Sequence, residues 1–214
     1  PEALGPTYAT ARAARDLDSL GWRDADGDTV RERAGRPLRL MLIVHATSAA
    51  RRQLAVLVQE QLRRVGVQIE VEALDPAAFA TAVRGGGWDA MLEMWHADPD
   101  PRGILQRWGA PSPGGRGGAN SSGYRSAAFE ALVDSAGATF DAARAEALFA
   151  RAYAVLADDA PAVWLYEARN VAGAHRRLRP GELRADAWWA DLASWRIPPG
   201  ERGPRDRAGA AARP

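Results

Sequence analysis

The sequence contains no cysteine, which excludes disulfides, thiolate metal sites and a cysteine nucleophile. It contains no lysine either, so every basic residue is an arginine. With the Ala-rich stretches, that points to a coding bias more than to a function. No run approaches the roughly 18 uninterrupted apolar residues that a membrane span requires. The N-terminus lacks a basic region followed by an apolar stretch, the mark of a signal peptide, and opens Pro1-Glu2-Ala3. The chain is therefore expected to be a piece of something longer. Charge of one sign is also missing: the formal net charge is +1, so no strong field favours nucleic acid or an acidic membrane surface. Catalytic signatures are absent as well: there is no G-x-S-x-G, no H-E-x-x-H, no phosphate loop and no G-x-G-x-x-G after a strand.

What is present suits one α/β domain. The 214 residues are 47% apolar and 26% charged, and eight of them are tryptophan. Periodicity predicts a helix over 10–20 stopped by Gly21, then a turn or short hairpin in "WRDADGDTVRERAGRPL". The β-formers of 38–45 predict a buried strand. Leu54, Leu57, Val58, Leu62 and Val65 then recur at helical spacing, and Gly66 ends that helix. Residues 67–74 alternate, with Val67, Ile69 and Val71 on one face, so strand, helix and strand form a βαβ unit. A short helix follows Pro76, a strand spans 88–95, and a brief helix lies around 103–108. "GAPSPGGRGGANSSG" reads as a surface loop, with "GGRGG" as linker and not an RNA-binding tract. Two helices are expected next, from Ser126 and from a cap at Asp141, and "PAVWLYEA" reads as a further strand. These elements make an α/β fold with a mixed sheet.

Three clusters carry possible chemistry. Asp24, Asp26 and Asp28 have the alternate spacing of a calcium loop, but its sixth and twelfth positions fall on Thr29 and Gly35, so an Asp/Gly turn is expected instead. "WHADPDP" places Trp95, His96, Asp98 and Asp100 just after a strand, where α/β sheets collect ligands. An aromatic beside a carboxylate there suits a ligand with a cationic end. Equally, the segment reads as a Pro-stiffened turn whose aspartates cap the next helix. His96, Asp98 and Asp100 could also be read as metal ligands, but with no second histidine nearby no metal and no cofactor are expected. The remaining tryptophans, among them Trp88, Trp108, Trp164, Trp188, Trp189 and Trp195, read as packing residues.

In order, three long segments resemble one known family. "ARAARDLDSLGWRDADGDTVRERAGRPLRLML" carries a helix ending in Gly-Trp, an Asp/Gly turn and a "G-x-P-L" lead into a strand. The next, "RRQLAVLVQEQLRRVGVQIEVEALDPAAFATAVRGGGWDAMLEMWHADPDP", closes in "W-x-x-D-x-D-P". The last, "GYRSAAFEALVDSAGATFDAARAEALFARAYAVLADDAPAVWLYEARNVAG", carries a Gly-Tyr helix and a "D-x-x-x-R" helix ending in Asp-x-x-Pro. Together they resemble the C-terminal half of family 5 solute-binding proteins, over about residues 10–195. The resemblance implies a periplasmic-binding-protein-like lobe with a mixed sheet flanked by helices. It divides the chain into the end of a preceding fragment (1–9), the lobe (10–179), a Trp-rich return segment (180–199) and a disordered tail (200–214).

For function, the resemblance implies the capture component of an ABC importer. It would take short peptides or similar solutes outside the membrane, periplasmic or membrane-anchored, and deliver them to a permease. A missing N-terminal lobe of the same protein would supply the rest of the cleft. By position Asp98 resembles the residue that meets a ligand's free amine, and Trp95 the neighbouring cleft aromatic, although the loop here is one residue shorter than in some peptide binders. Nucleic acid is not an expected partner. Two rival readings stay open: a regulatory lobe binding a partner protein through the Trp-rich segment, and a hydrolase using Asp98 or Glu93, which would need a second catalytic group in reach.

Overall fold

A computed structural model describes residues 8–95, 100–111, 118–167, 171–184, 187–204 and 206. The chain opens with helix α1 (Thr10–Ser19). Gly21, at φ 83°, supplies the left-handed turn that leads out of it. The Asp/Gly turn follows and feeds a two-stranded antiparallel hairpin, β1 (Glu32–Arg33) and β2 (Arg36–Pro37). Next comes the βαβ unit: β3 (Arg39–His45), α2 (Ala49–Arg63) and β4 (Gln68–Leu74), with β3 and β4 parallel. Ser48 caps α2 and Asp75 caps α3 (Pro76–Gly85), each accepting backbone N–H groups of the first turn. α3 returns the chain to β5 (Ala90–Leu92), which pairs parallel to β3 on its other side.

β3 is thus the central strand, in the order β4-β3-β5. Leu42, Ile43 and Val44 are successive and all buried, as expected of a strand covered on both faces. Leu42 and Val44 join Ala55 of α2 with Val65, Val67 and Ile69 in one cluster. β5 is shorter than the run 88–95 predicts. The Trp88 indole donates to the Ala82 carbonyl, and the Asp89 carboxylate accepts the Met41 amide, 2.8 Å away, so the pairing starts only at Ala90.

After β5 a 3-10 turn (Pro101–Gly103) runs into the short helix α4 (Ile104–Trp108). The two expected helices follow: α5 (Ala127–Gly137), capped by Ser126, and α6 (Ala142–Asp159), capped by Asp141. They bury Phe129, Val133, Ala152 and Leu156 with Trp108 in a second cluster, separate from the first.

Two features depart from the sequence reading. The expected strand over 161–168 does not form among the described residues 161–167, where Val163, Trp164, Leu165 and Tyr166 all stand exposed. A strand needs a partner's backbone, and among the described residues none pairs with this run. Parallel and antiparallel pairings therefore sit in separate sheets, the three-stranded one and the hairpin. In the C-terminal segment, an antiparallel bridge joins Arg179 to Arg196, and Glu201 and Asp206 pair with Arg179 and Arg177. Those contacts tie down the first residues of the expected disordered tail; residues 207–214 lie outside the described residues.

Candidate functional site

Strand order locates the site. β3 leads through α2 to β4 on one side, whereas β5 lies on the other side of β3. The carboxyl ends of β3 and β5 therefore flank a topological switch point, the crevice where open α/β sheets receive ligands. Two polar side chains meet there. His45 is the last residue of β3 and Glu93 the first beyond β5, and their Nε2 and Oε2 atoms lie 3.4 Å apart. From the first turn of α2, the Arg51 guanidinium reaches Glu93 Oε1 at 3.6 Å. The His45 ring stacks on Phe79 of α3, with centroids 3.9 Å apart. Glu93 also accepts the Met94 amide at 2.9 Å. Each of the three side chains is about four-fifths buried, at 21%, 18% and 21% exposure for His45, Arg51 and Glu93.

Two residues on, Trp95 keeps 36% of its surface exposed. One face is covered by the Arg107 guanidinium, 4.6 Å from the ring centroid, and its edge meets Trp108 at 6.1 Å. Trp108 is buried and touches Trp164 and Tyr124, so Trp95 links the edge of the sheet to the second hydrophobic cluster. His96 and Asp98 lie outside the described residues.

Asp100 is described, and its chemistry is committed. It caps the 3-10 turn by accepting the Arg102 amide, and its carboxylate takes the Arg102 guanidinium at 2.6 to 3.0 Å. Those hydrogen bonds hold its carboxyl below the usual carboxylate range. This is the turn-and-cap role weighed in the sequence. Asp24, Asp26 and Asp28 do gather, with oxygens within 4.8 Å of one another. Each carboxylate, however, accepts backbone amides of its own turn, from Gly27, Asp28, Thr29 and Val30. That is the behaviour of an Asp/Gly turn.

Sequence reasoning missed His45, Arg51 and Arg107 as site residues, and took Glu93 only as a hydrolase acid. A usable signal was available: the residue ending one parallel strand, the residue ending its neighbour, and the first turn of the intervening helix converge at such an edge. The pairing does supply Glu93 with an imidazole in reach. Among the described residues, though, no hydroxyl is hydrogen-bonded to either group to act as a nucleophile.

Comparison with known proteins fits this architecture. Residues 1–116 match the family described as bacterial extracellular solute-binding proteins, family 5. The oligopeptide-binding protein AppA of Bacillus subtilis is 26% identical over 167 residues, covering 76% of this chain and 30% of AppA. A nickel-binding periplasmic protein of Escherichia coli is 26% identical over 106 residues, 49% of this chain and 20% of that protein. In structure, Bacillus subtilis AppA in complex with a nonapeptide superposes with a TM-score of 0.71 at 21% identity, over 92% of this chain and 40% of the other. The chain thus spans under a third of the length of these curated relatives. Since the family match covers more than half of the 214 residues, the chain belongs to the bacterial extracellular solute-binding proteins of family 5.

Proposed function

We propose that this chain is one lobe of the substrate-binding component of an ABC importer, which captures short peptides or similar small solutes outside the membrane and hands them to a permease. The observation that carries the reading is the switch-point edge, with Trp95 presented beside it and leading into the segment that holds Asp98. A half-exposed aromatic wall, a carboxylate close in sequence and, among the described residues, no nucleophile bonded to the His45–Glu93 pair suit binding better than catalysis. Membership of an extracellular family, and relatives named for oligopeptide and nickel binding, favour a small solute. A second lobe, closing over the same edge, would complete the cleft and expel water.

In that closed state Asp98 would face the ligand's ammonium and Trp95 its apolar body. Removing one partner of a buried, hydrogen-bonded charge pair costs about 2–5 kcal/mol. The test is calorimetry on the intact two-lobed protein with trialanine and N-acetyl-trialanine. Asp98→Asn should weaken trialanine by roughly one and a half to three and a half decades and barely change the acetylated peptide. Unaltered trialanine affinity, or equal weakening of both peptides, would sink the assignment of Asp98.

A further inference from the structure

The ionic group at the switch point has a composition that packing does not explain. His45, Arg51 and Glu93 are about four-fifths buried, and a cluster of that kind is often no more stable than apolar side chains of equal volume. Its contacts are also loose. The guanidinium and the imidazole stand 3.6 and 3.4 Å from the carboxylate, where a tight charge-assisted bond is about 2.7–2.9 Å. Among the described residues, Glu93 is the one polar side chain that the Arg51 guanidinium meets. Left alone, such a fork would hold a carboxylate or phosphate of any ligand entering the edge.

We infer that Glu93 is a specificity-determining residue: by occupying Arg51 it withholds the guanidinium's positive charge from the ligand, and it sets this edge against anionic groups. The inference rests on the proposed function only in taking the edge as the ligand site. An incoming carboxylate meets Glu93 as a like charge in a place with little water, and such juxtapositions are strongly disfavoured. A neutral or cationic group meets no such barrier.

The experiment uses the full-length protein, its Glu93→Gln variant and the Glu93→Gln/Arg51→Gln pair, with acetate as the anionic probe, followed through the Arg51 Nε–Hε resonance and neighbouring amides. Wild type should show no saturable shift. Glu93→Gln should bind acetate saturably, about tenfold or more tightly than any residual wild-type response, and the double variant should lose that binding. Glu93→Ala repeats the measurement should the glutamine variant fold poorly. Saturation of the Arg51 signal in wild type at the same acetate concentration, or no gain on removing the carboxylate, overturns the inference. A second arm compares trialanine with its C-terminal amide by calorimetry, and the preference for the free acid should rise about tenfold in Glu93→Gln. If neither peptide binds wild type while acetate behaves as expected, the peptide reading falls and the role of Glu93 stands. If both peptides bind and the acid-to-amide ratio is unchanged, the role of Glu93 falls and the peptide reading stands.

Discussion

Gly66 shows what one residue decides. It ends the turn after α2 at φ 81°, where an L side chain costs about 1–2 kcal/mol. A Cβ there would also sit 2.6 Å from Cγ of Arg31. Arg31 is not free to move aside, because it donates to the Val65 and Trp22 carbonyls at 2.7 Å, tying the turn after α2 to the turn after α1. Gly66→Ala should therefore cost more than the backbone penalty alone, about 2 kcal/mol or more in urea titrations. In an Arg31→Ala background the added cost should shrink to the backbone part; an unchanged cost would remove Arg31 from the explanation. Asp24 gives a second test at this scale. Its carboxylate accepts the Gly27 and Thr29 amides, so Asp24→Ala should cost about 1 kcal/mol, equally with and without millimolar calcium. A melting temperature that rises with calcium in wild type alone would restore the metal reading.

Among the elements, α5 and α6 are set by their caps and by one tether. The Asp141 side chain accepts the Arg144 amide at the start of α6, and Asp141→Ala should cost about 1 kcal/mol in chemical denaturation. At the far end, the Tyr124 hydroxyl donates to Asp159 at 2.6 Å. Burial, and then the Asp159 carboxylate, push the Tyr124 phenol above its ordinary value. The folded chain thus holds that proton more tightly than the unfolded one. The tether's contribution is complete below the unfolded phenol's pKa of about 10 and fades as pH rises through the folded value. Tyr124→Phe should lose about 1 kcal/mol at pH 8 and show a smaller further loss at pH 10.5 than wild type. Identical alkaline losses in the two proteins would show that the tether carries no such dependence. Burial also raises Tyr153, so part of the alkaline loss should persist in the variant.

For the whole molecule, the consequential fact is that two hydrophobic clusters share one short chain. One joins the sheet to α2, and the other lies between α4, α5 and α6. Trp95 spans the gap by its edge contact with Trp108. Units with separate cores open separately. Phe129 is fully buried in the helical cluster, and Phe129→Ala should cost about 3–5 kcal/mol of local stability. In hydrogen exchange, amides of α5 and α6 should lose protection while those of β3 and β4 keep theirs. Equal loss in both would mean that the clusters fold as one cooperative unit. On the proposed function a second lobe completes the cleft, so residues 1–214 alone should bind trialanine far more weakly than the full-length protein, and sub-micromolar binding in calorimetry would refute this.

Local chemistry made much of this protein legible in its sequence. The run 39–45, the helical spacing from Leu54 to Leu62 and the alternation through Ile69 are periodic, and the stops at Gly21 and Gly66 and the caps at Asp100 and Asp141 act within a few residues. The ordered motifs carried the family for the same reason. Tertiary structure alone decided that β5 would pair beside β3 and not beside β4, and that decision brings His45, Arg51 and Glu93 together across 48 residues of sequence. It also decided that the apolar run 161–167 would not be a strand, since that depends on whether a neighbouring backbone offers hydrogen bonds. Periodicity records which face of an element is apolar; which elements meet is set by long-range packing, and that packing is what builds the charged edge of the crevice.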